Sequence, residues 1–388
     1  MFKKCLNRSF LDHQVSLFFC GVIEMLKCGI VGLPLSGKST VFNVITKAGA
    51  EVKPYASGKT EPNRAVVPVP DARFDDLVKL FEPKKATPAT VEFVDLAGLS
   101  RNASKGEGLG NAFLSFVGES EALVHVIRCF ENPDVPHPEE TVDPYRDWGI
   151  VETELILRDM AVIESRLKRL EEKKKRTKDE DLEVKLLEKC MDHLMEEHPL
   201  RDLGLDEDQK RRLSSFAFVT LKPELIVLNL DDSQTEDSSI PGYEQIMETS
   251  RSSDTPCVKV FGSIEMELAE LDPEEQKDFM DDLAVTEPGR ERLIREAYSL
   301  LGLISFFTTG KDEVRAWTLK KGSTAVDAAA AIHSDLARGF IRAQIVHYDD
   351  FRGCSYSFSS CREAGKLRLE GKDYVVKDGD LIEIRFNI

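Results

Sequence analysis

The chain has 388 residues, with 52 Lys and Arg against 69 Asp and Glu, giving a net charge of -17 at pH 7. So acidic a chain does not coat naked nucleic acid by charge alone, although a local basic face remains compatible with it. The length exceeds one ordinary core and suits two or three domains, and no apolar run reaches the length of a membrane span.

Residues 1–24 carry Lys and Arg, then an apolar stretch broken by polar residues, with no small-residue cleavage site. They are expected to be an N-terminal extension ahead of a core that starts at Met25, organellar targeting being the alternative. Eight cysteines are scattered without a C-x-x-C pair, which fits reduced thiols in a cytoplasmic or organellar compartment.

Residues 26–31 (LKCGIV) predict a buried strand, and STVFNVITKAG predicts a helix with one apolar face. Between them GLPLSGKST fits G-x-x-x-x-G-K-[ST] in the strand–loop–helix context that a phosphate loop requires. Further apolar runs at 91–98, 121–129, 224–230 and 257–263 predict parallel strands covered on both faces, hence a doubly wound α/β sheet.

At 151–198 the pattern changes. Ile156, Met160, Ile163, Leu167 and Leu170 recur at helical spacing, a charged EEKKKRTKDED follows, and Val184, Leu187, Met191 and Leu194 resume the spacing. An antiparallel helical hairpin inserted into the sheet domain is expected. From about Ser305 the order strand, turn, strand, helix, strand points to a small β-grasp module. The predicted domains are 25–145 with 220–304 for nucleotide binding, 146–219 for the hairpin and 305–388 for the C-terminal module.

A glycine-rich loop and a helix N-terminus concentrate backbone N–H groups on phosphate oxygens. Gly32 and Gly37 permit close approach, with Leu35 and Ser36 between them. Lys38 is expected to reach the β- and γ-phosphates, and the Ser39 hydroxyl, beside Thr40, to ligate Mg²⁺. VEFVDLAG supplies the second half of the site. Asp95 can hold Mg²⁺ through a water, and Gly98 can offer its N–H to the γ-phosphate. Leu99 stands where many switch GTPases carry the glutamine that orients the attacking water. The strand at 224–230 runs into N-L-D-D in place of the guanine-binding N-K-x-D. Asn229 and Asp232 occupy the expected places, but Leu230 replaces the lysine whose stem lies on the base. Both ATP and GTP stay open on these residues.

These segments together resemble the Obg-like ATPase (YchF) family of the P-loop translation-factor GTPase class. The resemblance is carried by CGIVGLP, TEPNRAVVPVPD, EFVDLAGL, ASKGEGLGNAFL, VIRCFEN, ELDPEEQKDFM, DEVRAWT, GFIRAQ and AGKLRLEGKDYVVKDGD. It implies a G-domain interrupted by a helical hairpin, then a TGS domain, with ATP preference, slow hydrolysis and association with ribosomes. Gly37, Lys38, Ser39, Thr40 and Asp95 match the family motifs. Leu230 falls where the family contacts adenine, largely through backbone, and Leu99 matches the hydrophobic residue that replaces glutamine. His137 matches a histidine implicated in hydrolysis, a role that suits imidazole near neutral pH. Three positions depart from the family. Leu35 replaces an asparagine that helps hold potassium. Thr60, the expected second Mg²⁺ hydroxyl, is shifted within a longer segment. Asp232 stands where glutamate is common and restores a guanine-type acceptor.

The leading expectation is a slow Mg²⁺-dependent ATPase acting as a switch on ribosomes. A GTPase of the same fold and a binding protein without turnover are the alternatives. Lys320, Lys321, Arg338, Arg342, Lys366 and Arg368 form a basic set on the C-terminal module that could face RNA. No membrane partner is expected, and the sequence does not indicate an oligomeric state.

Overall fold

The structure, a computed structural model, describes residues 26–46, 51–53, 63–95, 117–232, 234, 240–271, 275–276, 278, 280 and 287–387. The N-terminal extension, Thr60, Gly98 and Leu99 lie outside the described residues.

In chain order the first elements are β1 (Lys27–Val31), α1 (Lys38–Thr46), β2 (Glu51–Lys53), β3 (Asn63–Pro68), α2 (Ala72–Phe81), β4 (Lys85–Thr87), β5 (Thr90–Asp95) and β6 (Ala122–Arg128). Next come α3 (Pro144–Glu171), α4 (Lys178–Met195), α5 (Glu207–Leu213), β7 (Glu224–Leu230), α6 (Tyr243–Ser252), β8 (Cys257–Phe261), α7 (Gly262–Leu268) and α8 (Gly289–Leu300). The last are β9 (Leu303–Thr308), β10 (Glu313–Lys320), α9 (Ala325–Ile332), α10 (Ser334–Arg338), β11 (Phe340–His347), α11 (Tyr348–Gly353), α12 (Phe358–Glu363), β12 (Arg368–Glu370) and β13 (Asp380–Phe386).

The chain divides into two units, one of Leu26–Pro68 with Val91–Leu301, the other containing Val69–Thr90 and Gly302–Ile388. In the first, the apolar runs form a seven-stranded sheet of order β2-β3-β5-β1-β6-β7-β8. Every residue of β6 and β7 is buried, as strands covered on both faces require. β5, β1, β6, β7 and β8 run parallel to one another in that order, while β2 pairs antiparallel with β3. Register pairs Ile30 with Asp95 and Arg128 with Asn229, so the carboxyl ends of these strands meet along one edge. Ligands of open α/β sheets bind at that edge.

The expected hairpin forms within this unit. Asp143 caps α3 by accepting from Arg146 N, and Pro144 starts the helix. Thr177 and Glu180 form a reciprocal capping box on α4. Ile156, Ile163, Leu187, Cys190 and Leu194 share a buried cluster with Leu200, Leu213 and Phe218. Buried Asp159 accepts from the N–H groups of Val219 and Thr220 and from the Thr220 hydroxyl, fastening α3 to the chain that returns to the sheet.

The second unit holds a six-stranded sheet of order β12-β11-β13-β9-β10-β4. β9 and β10 make an antiparallel hairpin, and β13 runs parallel to β9 at the centre. Ala325, Ala328 and Ala329 of α9 pack on Phe306, Ile345 and Ile382, completing the β-grasp core. Residues 69–90, expected within 25–145, add α2 and β4 to this second unit. β4 pairs with β10, Arg73 bonds both Asp71 and Asp378, and Tyr348 Oη donates to Asp76. Of the basic set, Arg338, Lys366 and Arg368 are paired with Asp335, Asp350 and Glu370. Among the described residues, no helix is long and apolar enough to cross a membrane.

Candidate nucleotide-binding site

β1 delivers the chain into a loop that only two small residues allow. Gly32 takes φ 148° and Gly37 φ 92°. A Cβ on Gly32 would lie 2.3 Å from Val126 O, and one on Gly37 would lie 2.0 Å from Asn229 Nδ2. Between them Leu35 adopts φ 62° with an exposed side chain, while Ser36 is buried.

Lys38 opens α1 and turns back over the loop, its Nζ donating to Leu33 O at 2.7 Å and Gly32 O at 3.1 Å. Burial pushes the ammonium down to about 8, with the charge of Asp95 opposing the shift. Ser39 and Thr40 follow on the exposed side of the first turn. The Ser39 hydroxyl donates to Asp95 Oδ2 at 3.2 Å. Burial raises the Asp95 carboxyl despite Ser39 and Lys38. Hydroxyl and carboxylate oxygens at this spacing are the hard donors that Mg²⁺ takes, so the residues fit that ion.

Asn229 lies one residue before the end of β7 and donates its side-chain amide to Ser36 O at 3.1 Å. Leu230 ends the strand with 2% exposure, packed near Ile127, Leu228 and Ile246. Its side chain is therefore core and only its main chain is available to a base. Asp232 is exposed, its carboxyl raised by partial burial and by Asp231 and Glu267, while the Ile264 N–H at the start of α7 donates to it. Gly262 of α7 brings that helix to within contact of Thr40 and Asn229.

His137 is not a solvated loop residue. Its side chain is 5% exposed, and Nε2 lies 2.8 Å from Asp147 Oδ2. Nδ1 accepts the Glu139 N–H at 3.1 Å, which leaves the ring proton on Nε2 facing the carboxylate. Both nitrogens are engaged in this arrangement, so water cannot reach either without a rearrangement. Asp147 is itself raised by burial, which Arg146 and His137 oppose.

Besides Asp147, two groups carry no reading from the sequence. Arg128, at the end of β6, donates to Phe130 O and Val135 O and stacks 4.8 Å from the Phe130 ring, so it folds the chain leading to His137. Its signal was an arginine inside the apolar run ALVHVIRCF. The other group is a buried ionic cluster of His125, Glu152, Arg201 and Glu224. Ligand atoms of His125, Glu152 and Glu224 lie within 4.8 Å of one another. Arg201 bridges both carboxyl groups, so the protein supplies its own cation there. Burial works against the Glu224 charge, yet Arg201 and His125 hold that carboxyl to about 2. Burial instead raises Glu152 to about 8.

With this geometry in place, the relatives are informative. A family described as 50S ribosome-binding GTPase matches residues 27–152. The YchF-type GTPase C-terminal family, described as a protein of unknown function, matches residues 303–387. A ribosome-binding ATPase YchF from Haemophilus influenzae is 45% identical over 363 residues, covering 93% of this chain and 99% of its own. Its Bacillus subtilis namesake is 43% identical over 365 residues, covering 94% and 100%. The solved structure of the Schizosaccharomyces pombe YchF GTPase superposes with a TM-score of 0.81 at 34% identity, covering 93% of this chain and 97% of that one. The likeness runs almost the whole length of the chain, across the phosphate loop, the inserted hairpin and the β-grasp module, and the chain belongs to the YchF family of P-loop nucleoside triphosphatases.

Proposed function

We propose that the protein is a slow Mg²⁺-dependent ATP hydrolase that acts as a nucleotide switch on ribosomes in the cytoplasm. The observation that carries the choice of base is the end of β7. A guanine site needs an alkyl–ammonium stem over the base and a carboxylate free to accept two hydrogen bonds. Leu230, at 2% exposure, is committed to the core. Asp232 already accepts the Ile264 N–H. Its exposed carboxylate favours the GTPase alternative, as do the GTPase names of the matching G-domain family and of the Schizosaccharomyces pombe structure. The names of the relatives, ribosome-binding ATPases, agree with the ATP reading.

In this reading Gly32–Thr40 wraps the triphosphate and Lys38 exchanges its carbonyl partners for phosphate oxygens. Mg²⁺ would be held by Ser39, by Asp95 through a water and by Thr60, and would supply charge neutralisation at the phosphates. Gly98 offers an N–H to the γ-phosphate. Leu99 cannot hydrogen-bond water, which accounts for slow turnover. His137 takes part in hydrolysis only after releasing one of its two partners. The basic set of the C-terminal module, chiefly Lys320, Lys321 and Arg342, would meet ribosomal RNA.

Co-sedimentation with ribosomes tests the switch, using the full chain with a non-hydrolysable ATP analogue, with ADP and without nucleotide. Binding that rises with the analogue is expected, and equal binding in all three conditions refutes the switch. Turnover abolished by Lys38→Ala is expected in the same preparation. Absence of turnover in the unsubstituted chain would favour a binding protein.

A further inference from the structure

Between the phosphate loop and the carboxyl end of β6 lies a cavity of about 10 Å³, lined by Leu33, Ser36, Val126, Arg128, His137 and Asp147 among others. That is close to the space one water centre needs, roughly 10–15 Å³. Ser36 is 3%, Arg128 2% and Asp147 4% exposed. Ser36 Oγ, Arg128 Nη1 and Asp147 Oδ2 are all buried without a hydrogen-bond partner. Asp147 Oδ2 lies 2.8 Å from His137 Nε2, outside hydrogen-bond alignment, and keeps a lone pair for a further donor.

Native proteins rarely leave buried polar atoms unpaired, because each loses its hydration and gains nothing in return. Three in one small cavity call for a shared occupant. Its chemistry is constrained by the walls. The guanidinium of Arg128 disfavours a cation, and the carboxylate of Asp147 disfavours an anion. A neutral group that both donates and accepts fits, and the volume admits a single oxygen.

We propose that one ordered water occupies this cavity, accepting from Arg128 Nη1, donating to Asp147 Oδ2 and pairing with Ser36 Oγ. Arg128 and Asp147 are then positioning residues. Arg128 folds the Phe130–Val135 segment, Asp147 holds the His137 ring, and the water ties both to the phosphate loop through Ser36. The link joins three separate pieces of the unit, namely the loop after β1, the end of β6 and the first turn of α3. Its consequence for hydrolysis rests on the ATPase reading above, whereas the water itself does not.

The test has two arms. A high-resolution crystal structure of the full chain should show one water within hydrogen-bond reach of all three atoms, and a dry cavity overturns the proposal. The second arm is a cycle of Ser36→Ala, Asp147→Asn and the double variant, reading kcat and KM for ATP. Each single variant should lower kcat by about threefold or more with KM nearly unchanged, and the double should be no worse than the poorer single. Independent, multiplying losses, or losses confined to KM, overturn the positioning role. If Asp147→Asn does not fold, Arg128→Lys completes the cycle with Ser36→Ala. Were the unsubstituted chain to lack ATP turnover, the ATPase reading would fail, while the crystallographic arm would still decide the water.

Discussion

The side-chain amide of Asn229 donates to the main-chain oxygen of Ser36 over 3.1 Å, so the strand that would read the base also braces the loop that would hold the phosphates. The fit is tight, because a methyl group on Gly37 would reach within 2.0 Å of the same amide.

Asn229→Ala should therefore act on the loop and not on base choice. It leaves a buried carbonyl unpaired, at a cost of about 1–3 kcal/mol. Affinities for ATP and GTP are expected to fall together by roughly tenfold, corresponding to about 1.4 kcal/mol. Calorimetry with each Mg²⁺–nucleotide checks this, and a loss confined to one nucleotide would show that Asn229 reads the base.

Leu230→Lys, the substitution that restores the guanine-type motif on paper, should not create a GTP site. The side chain at this position points into the core near Ile127 and Leu228. Placing an unpaired ammonium there should destabilise the unit by about 3 kcal/mol or more. Denaturant unfolding and GTP affinity measured on the same variant are the check. A stable variant with improved GTP binding would mean that the end of β7 turns outward in solution.

Glu152 gives the expected pH dependence. Burial raises its carboxyl from the ordinary 4.5 to about 8. A carboxyl raised on folding contributes stability that is fully present below 4.5 and is lost as pH climbs through about 8. Thermal melts should fall across that window, and Glu152→Gln, which keeps the neutral shape beside Arg201, should flatten the fall. A steeper fall in the Gln variant would show that Glu152 is charged in the folded protein.

Much of this fold is legible in the sequence. The runs at 91–98, 121–129, 224–230 and 257–263 become β5, β6, β7 and β8, and the two most continuous, β6 and β7, are buried at every residue. The helical spacing from Ile156 to Leu170 and from Val184 to Leu194 marks the hairpin because one face of each helix is buried. Spacing says nothing about which sheet a short strand joins. Residues 69–90 belong with the C-terminal strands through contacts such as Arg73 with Asp378, a separation of 305 residues. The phosphate loop was legible because its chemistry is local. Asp147, which pairs with His137, was not, because one carboxylate in a charged helix start carries no mark of what it will face.

His137→Ala should cost stability as well as activity. Removing the ring leaves Asp147, 4% exposed, with one fewer partner. Losing that 2.8 Å contact and the packing of the buried ring should cost about 1 kcal/mol or more. Urea unfolding should register that loss alongside slower turnover. Slower turnover with unchanged stability would place the imidazole away from Asp147 in solution.

The most direct test of the central claim is the affinity of the purified full chain for ATP and for GTP, measured side by side by calorimetry with Mg²⁺. ATP bound clearly more tightly is the expected result, because Leu230 lies in the core and Asp232 is engaged by Ile264. GTP bound more tightly would contradict it, and would mean that the Asp232 carboxylate reads guanine without a lysine over the base.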